Sequence, residues 1–247
     1  SSDASFDGSS VTVTVKSDQA APALAILADV ARNPVFASEE IERARAQAID
    51  GVQVAIKNPS QLAGLVAARA ALGDTEYGHP LSGTPNSLKA ITQADIRRAY
   101  AEAWAPGRST LVLVGDVTPA QAKTLAESNF ANWTAPAAPP EAVTPVAAYP
   151  KPRVIVVDMP GSGQAGVVVA RPGLARTDAA YYPAAVANTV LGGGFSSRLN
   201  QEIRIKRGLA YGAGSSLQAG RDPGAIEGRT YKVGKFSFMG NGRAKAN

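Results

Sequence analysis

Five of the seventeen residues from Thr134 to Pro150 are proline. A ring that fixes φ and removes the amide donor, repeated at that density, fits neither a helix interior nor a central strand. Residues 134–150 are therefore expected to be an extended linker. The folded parts must lie on either side of it, residues 1–133 before and a second stretch from 151 onward.

The first stretch mixes both periodicities. Residues 10–16 alternate, with Val11, Val13 and Val15 on one face, and predict a half-buried strand. Leu24, Leu27 and Val30 recur at helical spacing within 21–32, before Pro34. Ser38 is expected to cap a second helix, with Glu39 and Glu40 favouring its positive end and Ile41, Ala44, Ala48, Val52 and Ala55 on one face. That helix ends at Asn58-Pro59. Ser60 is expected to open a third, stopped at Gly73. A loop over 73–88 precedes Thr92 and Asp95, which form a capping-box pattern ahead of Ile96, Tyr100 and Trp104. The apolar run 109–116 predicts a strand, and Thr118-Pro119 a further helix start. After the linker the pattern gives strands at 153–157 and 166–171 and a helix over 178–191. An α+β protein of two domains follows.

Composition narrows the function classes. The 247 residues are 45% hydrophobic and 18% charged, enough for one large core or two ordinary ones. The net charge of +5 is modest, and the six Lys/Arg against two Asp/Glu from Arg221 to Asn247 lie in the tail, so no basic stripe interleaved with aromatics speaks for nucleic acid. No cysteine is present, which excludes disulfides and thiol catalysis. No stretch reads as a membrane span or a signal peptide.

The most informative string is 191–211, Leu-Gly-Gly-Gly-Phe-Ser-Ser-Arg-Leu-Asn-Gln-Glu-Ile-Arg-Ile-Lys-Arg-Gly-Leu-Ala-Tyr. The triplet Gly192, Gly193 and Gly194 opens into a segment that Ser196 or Ser197 can cap as a helix, with Leu199 and Ile203 as its apolar anchors. Gly208 is its expected stop. Arg204 stands before that stop and Tyr211 beyond it, so a guanidinium and a phenol can meet at a helix-to-strand corner. Such a pair suits donating hydrogen bonds to a carbonyl oxygen that becomes negative during reaction. The plainer alternative is a solvated surface helix followed by a buried strand.

This string resembles the second domain of the pitrilysin/insulinase family, inverted-motif zinc peptidases related to the mitochondrial processing peptidase. The resemblance implies a metallohydrolase fold of the mitochondrial processing peptidase type, with two similar α+β domains. Residues 1–133 would be the later part of a first domain and 151–226 the earlier part of a second, both incomplete. Residues 227–247 are expected to be a non-native or frame-shifted tail, beginning in the cleavage-site-like Ile226-Glu227-Gly228-Arg229. In the family Arg204 and Tyr211 would orient substrate, and Gly192, Gly193 and Gly194 would turn the chain beside the substrate cleft.

The family's zinc motif, His-x-x-Glu-His, is absent, since His79 is the only histidine. Asp50 and Gly51 stand where the family's further glutamate ligand is expected. The chain is thus expected to be a non-catalytic half with no metal or cofactor of its own. Zinc would belong to a catalytic partner half, on the same polypeptide or a partner subunit. The implied substrate is a peptide, held partly as an added strand on a sheet edge. A bacterial, periplasmic or otherwise exported protein is expected; the alternative is a structural core-type subunit with no peptidase role.

Other constellations are weaker. Gly161-Ser162-Gly163-Gln164-Ala165-Gly166 fits a dinucleotide fingerprint in letters only, because a strand pattern follows where a helix must begin. His79 sits beside Pro80 with no nucleophile elbow elsewhere, so a loop-shaping role is expected. The glycine triplet lacks the Lys-Ser/Thr of a phosphate loop.

Overall fold

The computed structural model describes residues 1–134, 151–233, 236–239 and 243–246, so 135–150 of the expected linker lie outside the described residues. A hairpin opens the chain, β1 (Ser2–Ala4) against β2 (Ser9–Val11), antiparallel. The alternation expected over 10–16 pairs only to Val11, because a strand extends no further than its partner. Among the described residues Val13 and Val15 join no ladder, and both are 46% exposed.

Helices follow: α1 (Ala20–Arg32), α2 (Ser38–Ile56), α3 (Pro59–Leu72), α4 (Pro85–Ala90), α5 (Gln93–Ala103) and α6 (Pro119–Phe130), with side-chain caps at the starts of α3, α5 and α6. The start of α3 differs from the expectation at Ser60. Asn58 is the cap, its side chain accepting from the N–H groups of Ser60 at 3.0 Å and Gln61 at 3.2 Å, and Pro59 fills the first turn where no donor is needed. Gly73, at φ 63°, ends it. Thr92 and Asp95 form both arms of a capping box on α5, and Thr118 with Gln121 does the same on α6.

Two expected strands are not strands here. Residues 109–116 and 153–157 join no ladder among the described residues, and Val112, Val114 and Val154 are 72%, 92% and 88% exposed. Apolar β-branched sequence makes a strand only when a neighbouring strand takes its backbone groups. The later elements are β3 (Val168–Pro172), α7 (Tyr181–Gly192), a three-residue α8 (Arg198–Asn200), β4 (Ala210–Leu217), β5 (Ala225–Val233), β6 (Phe236–Met239) and β7 (Arg243–Ala246). Gly161 and Gly163, at φ 78° and 68°, form a turn that leads into β3 and not into a helix.

The described residues fall into two compact units, those within 1–47 and 86–142 and those within 48–85 and 143–247, the division falling within α2. In the first, α1 buries Ala23, Leu24, Ala28 and Ala31. Tyr100 of α5 donates to Ala31 O at 2.7 Å and meets Phe36 edge-to-face at 5.5 Å; Arg32 donates to Asn129 O of α6 at 2.7 Å. In the second, α3 packs on an antiparallel sheet of order β3-β5-β4. Its core joins Ala71 and Leu72 of α3 to Ala225 of β5, with Tyr77 and Ala170 against them. The residues 227–233 assigned to a tail from sequence thus lie in the central strand of this sheet.

Candidate functional site

The string 191–211 lies within the second unit, where α7 packs against the edge strand β4. Helix α7 ends on the glycine triplet, the Gly193 N–H bonding back to Asn188 O at 3.0 Å. Gly192 permits the approach of helix to strand: a Cβ there would lie 2.2 Å from Ser215 N. Asn188 fixes the same junction from the side, its Oδ1 accepting from Ser215 Oγ at 2.7 Å and its Nδ2 donating to Ser215 O at 3.3 Å. A cleft of about 470 Å³ opens here, lined by the glycine triplet, Phe195 and the Gly212–Ser216 run of β4.

The segment after the triplet is not the regular helix expected from the sequence. Three α-helical residues widen into a π-turn, Gln201–Ile205, closed by Lys206 N–H to Gln201 O at 2.9 Å. Ser197 occupies the N-cap position with extended backbone, yet its hydroxyl makes no capping bond; its Oγ is buried and unpartnered among the described residues. Asn200 ties the loop down in its place. Buried to 4% exposure, it donates to Phe195 O at 2.6 Å and accepts from Ala213 N–H at 3.4 Å, joining the loop to β4. Gly208, at φ 60°, then turns the chain into β4 as expected.

Arg204 and Tyr211 do meet at this corner. The Arg204 Cζ lies 4.9 Å from the Tyr211 ring centroid and equally 4.9 Å from that of Phe195. Glu202, the nearest carboxylate in sequence, is engaged elsewhere, by Lys206 and by Arg207 at 3.7 Å. The hydrogen bond from Lys206 first, then the Lys206 charge, hold the Glu202 carboxyl below the usual carboxylate range. Among the described residues no carboxylate pairs with Arg204. A guanidinium held by aromatic rings keeps its N–H donors for an acceptor that is not part of the site.

The sequence-predicted residues therefore form two adjoining groups. Gly192, Gly193 and Gly194 line the cleft, Arg204 and Tyr211 form the corner, and Phe195 belongs to both. Sequence reasoning assigned no role to Phe195, Asn188 or Asn200. A bulky aromatic among glycines and serines was a signal for the first; the asparagines act through tertiary hydrogen bonds that sequence alone does not show.

A metal centre does not fit the residues present. One histidine and no cysteine cannot supply the usual zinc donors, and among the described residues no group of three His, Cys, Asp or Glu is gathered. His79 follows a short 3₁₀ turn, Glu76–Gly78, and Asp50 and Gly51 are exposed on α2.

Comparison with known proteins adds the following. Residues 90–229 match the family model described as the peptidase M16 inactive domain, and residues 1–85 that of insulinase, peptidase family M16. An uncharacterized zinc protease of Streptomyces coelicolor is 31% identical over 76% of this chain and 42% of its own length. One of Mycobacterium leprae is 28% identical over 83% and 46%. The chain thus spans about half the length of the curated relatives it matches. A peptidase M16 inactive domain from Pseudomonas fluorescens superposes with TM-score 0.80 at 29% identity, over 88% of this chain and 52% of that one. A Helicobacter pylori protease gives 0.78 at 18% identity, over 90% and 53%, and shares the fold.

Proposed function

The chain belongs to peptidase family M16, the insulinase family, and from that membership we propose that it supplies substrate-cleft surface to a zinc-dependent endopeptidase. It is the non-catalytic kind of half, and the zinc and the hydrolytic step belong to a catalytic half, on the same polypeptide or a partner subunit. The observation that carries this reading is the match of residues 90–229 to the family's inactive domain. The substrate is a peptide whose carbonyl oxygen accepts from Arg204, with Tyr211 beside it, while the glycine triplet leaves room for the peptide backbone. An exported, periplasmic setting accompanies this reading.

Metal analysis and kinetics test it together. The isolated chain is expected to carry no stoichiometric zinc and to leave a casein-type substrate intact; one tightly bound zinc per chain would overturn the assignment. In the complete peptidase, Tyr211→Phe and Arg204→Lys are expected to raise KM with kcat little changed, because orientation in a non-catalytic half contributes mainly to binding. A fall in turnover on the order of 100- to 1000-fold would instead place the donor in the transition state. Unchanged kinetics in both variants would make the pair structural and favour the core-type subunit.

A further inference from the structure

We propose that Phe195 is a positioning residue, one that holds the Arg204 guanidinium ready for a peptide carbonyl or carboxylate without occupying its hydrogen-bond donors. The inference rests on the peptide-orienting reading of Arg204 given above.

Phe195 is 64% exposed, so its ring adds little to any core and is available to the cleft and to Arg204. Its backbone is held in place: Asn200 donates to the Phe195 carbonyl at 2.6 Å, and Ser197 N–H closes the turn onto Gly194 O at 3.1 Å. From that fixed turn the ring reaches the Arg204 Cζ at 4.9 Å while also lining the cleft beside the glycine triplet. Phe195 is thus the link between the space where a peptide would lie and the cation that would bind it.

The chemistry distinguishes this clamp from a salt bridge. A carboxylate partner would fix Arg204 equally well, but by accepting from the same N–H groups that a substrate needs. An aromatic ring attracts the cation through its quadrupole and leaves the planar fork of donors unspent. Two rings, from Phe195 in the loop and Tyr211 on β4, restrain the long side chain from two separate elements. The π-turn carrying Arg204 contributes the backbone part of the same restraint. The acceptor such an arrangement suits is a planar oxygen group, the backbone carbonyl or terminal carboxylate of a peptide.

The test uses the 247-residue chain with a fluorescein-labelled unstructured ten-residue peptide as probe, and nuclear magnetic resonance of the arginine side chains. Phe195→Leu is expected to move the ring-current-shifted Arg204 Nε–H signal toward its random-coil position. It should also weaken the probe by roughly two- to fivefold, the scale of one exposed cation–π contact. Phe195→Tyr, which keeps the ring, should restore both. If Arg204→Ala weakens the probe while Phe195→Leu leaves both affinity and the Arg204 signal unchanged, the positioning role is overturned and the peptide-orienting reading stands. If Arg204→Ala itself leaves probe binding intact, that reading fails and the ligand half of this inference fails with it, whatever the Arg204 signal does.

Discussion

At Gly192 a missing methyl group decides whether α7 can reach β4. The hypothetical Cβ would stand 2.2 Å from Ser215 N and 2.3 Å from Ser215 Oγ, and neither the strand backbone nor the helix end can yield cheaply. Gly192→Ala is expected to destabilise the second unit by about 1–3 kcal/mol, the usual scale of overpacking, read as a lowered urea midpoint. Gly194→Ala is the control. A Cβ there meets nothing within 4 Å, so its midpoint should stay close to the parent's. Equal effects from the two would show that the triplet matters only as flexible chain. That Arg204 and Tyr211 meet at one corner beside the triplet was legible in the sequence, because they stand on either side of the Gly208 stop in one short string. Their division of labour was not, because it depends on which glycine faces Ser215 and on which ring reaches the guanidinium.

Among the elements, most helices were legible and strands only in part: the strand expected over 166–171 is β3, Val168–Pro172, whereas α4, Pro85–Ala90, begins inside the expected loop 73–88. A helix carries its own hydrogen bonds and announces its ends: the Thr92–Asp95 and Thr118–Gln121 boxes and the Asn58 cap are local chemistry. Segments such as 109–116 and 153–157 have strand composition, but a strand needs a neighbouring strand to pair with, and among the described residues neither segment joins a ladder. The π-turn had no signature either, since its five residues read as ordinary helix. The capping box on α5 makes a pH prediction. Hydrogen bonds from the Thr92 hydroxyl, the Thr92 N–H and Arg98 lower the Asp95 carboxyl from 3.8 to about 2. A depressed folded-state value means the box stabilises fully above the ordinary value near 3.8 and is lost as pH falls through about 2. Amide exchange at Thr92 and Asp95 should therefore quicken, relative to the rest of α5, between those two values. Asp95→Asn should abolish that pH dependence; a persistent transition in the variant would assign it to another group.

For the whole molecule, the consequential feature is the unpaired apolar sequence. Val112 and Val114 stand 72% and 92% exposed in a β-prone run, a ready template for intermolecular pairing. The isolated chain is expected to self-associate, seen as excess light scattering. Val112→Lys with Val114→Lys should reduce it without changing the helical circular dichroism. A sharp two-state thermal transition of a monomeric parent chain would contradict the expectation. The proline-rich stretch was visible in composition, whereas the units follow contacts: residues 59–72, early in the sequence, pack on β3 and β5, which begin only at Val168 and Ala225. The order of that sheet, β3-β5-β4, also fixes a timetable. Strands β3 and β4 both pair with β5, the last of the three to be synthesised, so neither gains a ladder partner in this sheet until Ala225–Val233 has emerged. During translation the wall of the cleft waits, unbraced, for the strand that completes it, and a chain truncated before Ala225 would carry the glycine triplet, Phe195 and the β4 run with no sheet to hold them.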